Sequence, residues 1–195
     1  NTKDLYFEPT LTKVGENQIL SMQLKAGPNE FLEFKYVLKP NDYMLDFEVQ
    51  SQGLNKVLNT SKPMDLEWKM KTYRTEKSIS YENRYTVADY KYEDDKFSYV
   101  SDGTAKEDTP IDVSYVSFKQ HFFTSILLTD KPFKTSIIHS DNLVKDEVID
   151  TVFTKQFKAN VPLAFTNGEV DYKMNWYFGP SDYKLLKSYD KDIEK

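Results

Sequence analysis

Two histidines, His121 and His139, are the chain's only imidazoles, and there is no cysteine. Disulfides, thiolate catalysis and cysteine-based zinc sites are therefore excluded. His121, His139 and Asp141 offer metal donors, but the histidines stand 18 residues apart and form no ligand motif. Both read as structural: His121 lies among aromatics in FKQHFFTS, and His139 sits at a strand end before Ser-Asp-Asn. Carboxylates are many, yet nothing in their spacing singles out an acid–base pair. Glu93-Asp94-Asp95 reads as a solvated turn, because a calcium loop needs its glycine and distal glutamate at fixed offsets. The six glycines form no GxGxxG or GxxxxGKS/T loop, and GxSxG does not occur, so a phosphate cradle and a hydrolase elbow are both missing. No catalytic, metal or cofactor-binding residue is assigned, and no cofactor is expected. Trp68 and Trp176 fall on the inward set of their strands and read as core. Lining a sugar or peptide groove is the other use for such side chains.

The elements that would position any site are strands. Aromatic residues make up 15% of the chain, with 14 Tyr and 13 Phe, a composition that suits pleated, half-buried faces. Apolar and polar residues alternate in FLEFKYVLK, where Leu32, Phe34, Tyr36 and Leu38 share a face, and in YMLDFEVQ, where Tyr43, Leu45, Phe47 and Val49 do. Period two is the signature of a half-buried antiparallel strand. With QILSMQLK before them and Pro40-Asn41-Asp42 between, these runs form a meander. Gly53 to Pro63 is looser. LEWKMK turns Leu66, Trp68 and Met70 inward. ENRYTVADYKY and KFSYVS flank the acidic turn as a hairpin, and Ser101 to Pro110 reads as an exposed loop. VSYVSFKQHFFTSILL holds one bent strand or two, and TSIIHS is short. VFTKQFKANVPLAF alternates through Phe153, Phe157, Ala159 and Val161, and VDYKMNWYFG through Val170, Tyr172, Met174, Trp176 and Phe178. The total is nine to eleven strands and one helix. That helix follows Gly179-Pro180 over about 182–190, with Ser181 or Asp182 as N-cap and Leu185, Leu186 and Tyr189 as its apolar stripe.

The 26 Lys and Arg are scattered and outnumbered by 31 Asp and Glu, which argues against a nucleic-acid partner. No run of about 18 apolar residues exists to span a bilayer. The opening NTKDLYFEPT lacks the charged and apolar regions of a signal peptide, so any targeting segment of an exported protein lies outside this sequence.

Two segments resemble a known family. In YVSFKQHFFTSILL the residues Lys119, Gln120, Phe122, Phe123 and Leu128 match its KQxFFxxxxL pattern, and in NWYFGPSDYKLLKSY the residues Tyr177, Gly179, Pro180, Tyr183, Leu186 and Tyr189 match YxGPxxYxxLxxY. YVLKPNDYMLDFEV is similar to its strand–turn–strand. The family is the periplasmic domain of the membrane protein insertase YidC, in its Bacteroidetes branch. The resemblance implies an all-β fold: a supersandwich of two twisted antiparallel sheets, like galactose mutarotase, with a short C-terminal helix. It implies one domain over 1–195, a fragment lacking N-terminal strands and every transmembrane segment, so that a sheet edge is left open. It implies a monomer in the periplasm of a Gram-negative bacterium, on an inner-membrane protein. The partners implied are SecD, SecF and the Sec translocon, with nascent membrane proteins handled by the transmembrane part. No enzymatic role follows, since the histidine and glutamate of mutarotases have no matching motif here. The alternative is a sugar-binding or sugar-active sandwich, which falls if Trp68, Trp176 and His121 are all buried.

Overall fold

Alternation leaves each strand one apolar face, and two antiparallel sheets meet to bury these faces. The computed structural model describes residues 2–100 and 106–195. The large sheet runs, in spatial order, β1 (Glu8–Val14), β2 (Asn17–Lys25), β3 (Phe31–Leu38), β4 (Met44–Gln52), β13 (Asp171–Pro180), β10 (Phe123–Thr135), β9 (Ile111–Lys119), β6 (Val87–Tyr92) and β7 (Lys96–Val100). The small sheet runs β5 (Met64–Tyr73), β12 (Phe153–Leu163), β11 (Ile137–Asn142) and β8 (Glu107–Asp108). Between the sheets lies the main core, including Phe47, Val49, Phe118, Leu127, Phe133, Phe157, Val161 and Tyr172. A second, smaller core sits on the outer face of the large sheet. There the C-terminal helix α2 (Tyr183–Ser188) and Ile193 cover Met44, Tyr115, Ile126, Leu128 and Tyr177.

The expected meander is present as β2-β3-β4. Asn41 adopts φ +55° in its second turn, a left-handed conformation that asparagine tolerates. The acidic turn joins β6 and β7 as a hairpin. Several details differ. There are thirteen strands among the described residues, because β1 and β8 were not legible: β1 is exposed throughout and has no face to alternate. Ser101 to Pro110 is not all loop, since Glu107–Asp108 pairs with β11, and residues 101–105 lie outside the described residues. KQHFF is the turn between two strands. Tyr43 precedes β4 and is exposed, while Met44 is buried in the outer core. Leu38, Phe153 and Phe178 are exposed at strand ends, Phe153 beside a register shift in β12.

A second helix also breaks the expectation of one. ENRY belongs to α1 (Ile79–Tyr85), and only Val87 onward is strand. Ser78 caps it by accepting from the Tyr81 amide at 3.3 Å. Its buried face consists of Ile79 and Glu82, too small and too polar for helical periodicity to register. The Glu82 carboxylate accepts from Thr75 N at 2.9 Å, Thr75 Oγ1 at 2.7 Å and Glu76 N at 3.2 Å. The Lys155 ammonium, on the buried side of β12, donates to the carbonyls of Asn83 at 3.0 Å and Thr86 at 2.6 Å. A cation there complements the helix C-terminus.

Candidate functional site

The KQHFF turn and the GPSDY exit meet at one end of the sandwich. Antiparallel pairing sets Phe123 opposite Pro180 and Thr124 opposite Gly179. The Ser181 amide then donates to the Phe122 carbonyl at 2.8 Å. Gln120 closes the turn through its amide to the Phe123 carbonyl at 2.8 Å. Its side chain reaches the Tyr73 carbonyl on β5 at 2.9 Å and ties the two sheets together. Gly179 leaves room that a side chain would fill: a Cβ there would lie 2.7 Å from Tyr177 Oη and 2.9 Å from Tyr43 Cδ1. Tyr177 is buried and donates to the Pro180 carbonyl at 2.7 Å; burial pushes its phenol up to about 12. Asp182 caps α2 by accepting from the Leu185 amide at 2.8 Å. The helix spans 183–188, inside the expected 182–190, and Leu186 carries it onto the outer core. Of the motif residues, Phe122, Phe123 and Tyr183 instead point into solvent.

Lys119 borders a small cavity of about 70 Å³ under the C-terminal segment, shared with Asp89, Ser117, Thr124, Ser181 and Glu194. Burial pushes the Asp89 carboxyl up to about 6, against the opposing pull of Lys119 and a hydrogen bond from Ser117. A charged group of this kind is invisible in sequence, because Asp89 takes its place in an ordinary alternating strand.

A groove of about 600 Å³ opens on the outer face beside α2. Lys35, Lys39, Lys173 and Lys191 line it with Asp42, Asp46, Glu48 and Asp130. Lys39 pairs with Asp46 at 3.0 Å and Lys35 with Glu48 at 3.5 Å. Tyr189 donates to Asp42 at 2.7 Å, and its phenol is pushed up to about 12 by burial and by that carboxylate. Lys173 has no ion-pair partner among the described residues. The groove's side chains come from β3, the β3–β4 turn, β4, β10, β13 and the C-terminal segment, so no local pattern announces it.

The histidines are not brought together. His121 meets Glu76 at 2.6 Å, at the β9–β10 turn. His139, on β11, meets Asp141 through Nε2 at 2.9 Å and Glu107 through Nδ1 at 3.7 Å. Opposite ring nitrogens cannot converge on one ion. Trp68 and Trp176 pack edge to face at 4.6 Å, with Trp68 stacked on Phe118 at 3.8 Å. All three residues that the sugar alternative turns on are half-buried, so the simple burial criterion is not met.

The family model for the YidC periplasmic domain matches residues 1–195. The chain belongs to the YidC periplasmic domain family. Membrane protein insertases YidC from Parabacteroides distasonis, Porphyromonas gingivalis W83 and Bacteroides fragilis are similar to it. Their identities are 32% over 196 residues, 31% over 204 and 30% over 200. These alignments cover 99%, 100% and 100% of this chain but only 30%, 30% and 31% of the relatives. The chain thus spans under a third of the length of these YidC insertases. No helix among the described residues is long and apolar enough to cross a membrane. Two solved structures align more distantly. A putative mutarotase, YeaD of Salmonella typhimurium, has TM-score 0.45 and 8% identity over 89% of this chain and 65% of that one. Heparan sulfate lyase HepC of Pedobacter heparinus has TM-score 0.43 and 7% identity over 89% and 22%. Likeness this distant decides neither ligand nor activity for a YidC domain.

Proposed function

We propose that this chain is a non-enzymatic accessory domain, one unit over 1–195, on the periplasmic side of the inner membrane of a Gram-negative bacterium. The transmembrane part of the insertase inserts and helps fold nascent membrane proteins, alone or with the Sec translocon, and this domain docks the periplasmic parts of SecD and SecF. The observation that carries the reading is the family match along the whole chain. The groove beside α2 is the docking surface: four lysines and four carboxylates give it no net charge, and a polar, charge-balanced face suits a partner that comes and goes.

The test is site-specific photocrosslinking in the full insertase, with probes at Lys35, Lys173 and Lys191. Adducts with SecD or SecF from these positions, and none from the far edge strand β1, are the expected result. Absence of adducts from every groove position in a folded, membrane-integrated insertase overturns the assignment. One observation favours sugar binding as a second reading: the His121–Glu76 contact lies beside exposed aromatics. However, His121 is stacked on Tyr85 at 4.7 Å and on Phe122 at 4.2 Å, which leaves no ring face for a sugar. Calorimetric titration with periplasmic glycans that showed saturable heat, lost in Glu76→Gln, would restore it.

A further inference from the structure

Four large aromatic side chains stand in solvent where the KQHFF turn meets the end of β13. Phe122 is 56% exposed, Phe123 55%, Phe178 48% and Tyr183 59%. Their exposure is built in by register. Phe123 and Phe178 share the inner face of the large sheet with Leu127 and Trp176, four and two residues away on their respective strands. Over Leu127 and Trp176 that face is covered, with Trp68 of β5 set edge-on to Trp176. Past them neither Phe123 nor Phe178 is covered, and Phe178 stacks on Trp176 at 5.6 Å. Neither phenylalanine can turn to the outer core, because the alternate residues Thr124 and Tyr177 are buried on that face. Phe122 extends the patch through His121 to Tyr85. Isolated exposed apolar residues need no explanation, but Phe123 and Phe178 are diagonal neighbours on one face, with Phe122 next to them in the turn, and such a group does.

Two exposed lysines, Lys184 and Lys187, stand on α2 beside the patch, while Lys119 faces Asp89 and His121 faces Glu76. The carboxylate nearest Lys184 in sequence is Asp182. That aspartate is engaged as the α2 cap. Lys187 lies 5.5 Å over the Tyr183 ring. Aromatic rings beside lysines match the boundary between headgroups and acyl chains, where amphipathic rings settle and cations meet anionic phosphates.

We propose that this end of the sandwich docks on the surface of a bilayer containing anionic lipid, with Phe122, Phe123 and Phe178 entering the headgroup–acyl boundary. The proposal rests on the accessory-domain reading only for the nearness of a bilayer. Docking there would hold the domain in a fixed orientation and leave the groove facing sideways to a partner.

The test is flotation of the chain with vesicles of phosphatidylethanolamine and phosphatidylglycerol in equal parts, against vesicles of phosphatidylcholine alone. Tryptophan quenching by brominated acyl chains is read in parallel, since Trp176 adjoins Phe178. The wild-type chain is expected to float with the anionic vesicles and to be quenched. Combining Phe122→Ser, Phe123→Ser and Phe178→Ser should weaken retention by about tenfold or more with the melting temperature kept. Lys184→Glu with Lys187→Glu should weaken it at low salt and do nothing at high salt. Wild-type chain that neither floats nor is quenched overturns the proposal, as does a folded triple variant that binds as well as wild type. A triple variant that alters only self-association in gel filtration would assign the patch to a second copy of the chain, and would overturn it too. These vesicles hold no SecD or SecF, so the result is independent of the groove assignment.

Discussion

Asp89→Asn should stabilise the fold at neutral pH and progressively less as the pH falls toward 4. Asp89 sits on β6 opposite Ser117 of β9, under the segment that carries Ile193 and Glu194. Among the groups around its cavity, Lys119 and Lys195 are cationic and Glu194 is a second carboxylate. Burial outweighs the attraction of Lys119 and raises the carboxyl from 3.8 to about 6. A carboxyl raised by folding binds its proton more tightly in the native state than in the unfolded chain. Stability therefore rises as pH falls from above 6 toward 4, and the ionised group costs stability at neutral pH. A gap of that size corresponds to about 3 kcal/mol. Asparagine keeps the shape and a polar contact with Ser117 but carries no charge. For a chain of this length the gain amounts to roughly 6–12 °C in melting temperature. Urea titrations at about pH 7.5 and about pH 4.5 measure it, as a larger midpoint at the higher pH and a gain of roughly a third as much at the lower. A variant equally more stable at both pH values, or less stable at neutral pH, would refute the linkage.

Gly179→Ala should cost about 1–3 kcal/mol through overpacking against Tyr177 and Tyr43, seen as a lower urea midpoint with an unchanged slope. Leu186→Ala opens a cavity above Met44, Ile126 and Leu128 and should cost about 2–4 kcal/mol; limited proteolysis should then cut after Asp182 before the sandwich unfolds. Lys155→Ala removes the donor to the Asn83 and Thr86 carbonyls and should cost about 2–4 kcal/mol, with hydrogen exchange rising first across α1.

The inward residues of β3, β5, β12 and β13 were legible because one face of each strand meets water or an edge and the other meets the core. α1 was not, because its buried face is Ile79 beside a carboxylate, and the partners that satisfy Glu82 lie on the loop before it. β1 was not, because neither of its faces is covered. In the candidate site, the turn and exit segments could be singled out from their residues. The groove could not, since Lys191 pairs with Asp130 of β10 and Tyr189 bonds Asp42 across distances that no local pattern records.

By itself the sequence determined the all-β class, the turn chemistry of Pro40-Asn41-Asp42 and Gly179-Pro180, a capped helix after that stop and the family. These follow from period, backbone conformation and capping, all of which act over a few residues. The tertiary structure alone decided which apolar residues stay exposed and which charge is shielded. Phe123 and Leu127 carry the same alternation, and Asp89 and Asp46 are the same residue type on similar strands. What separates them is which positions the opposing sheet covers and where the C-terminal segment lies, and that is fixed only when distant strands pair.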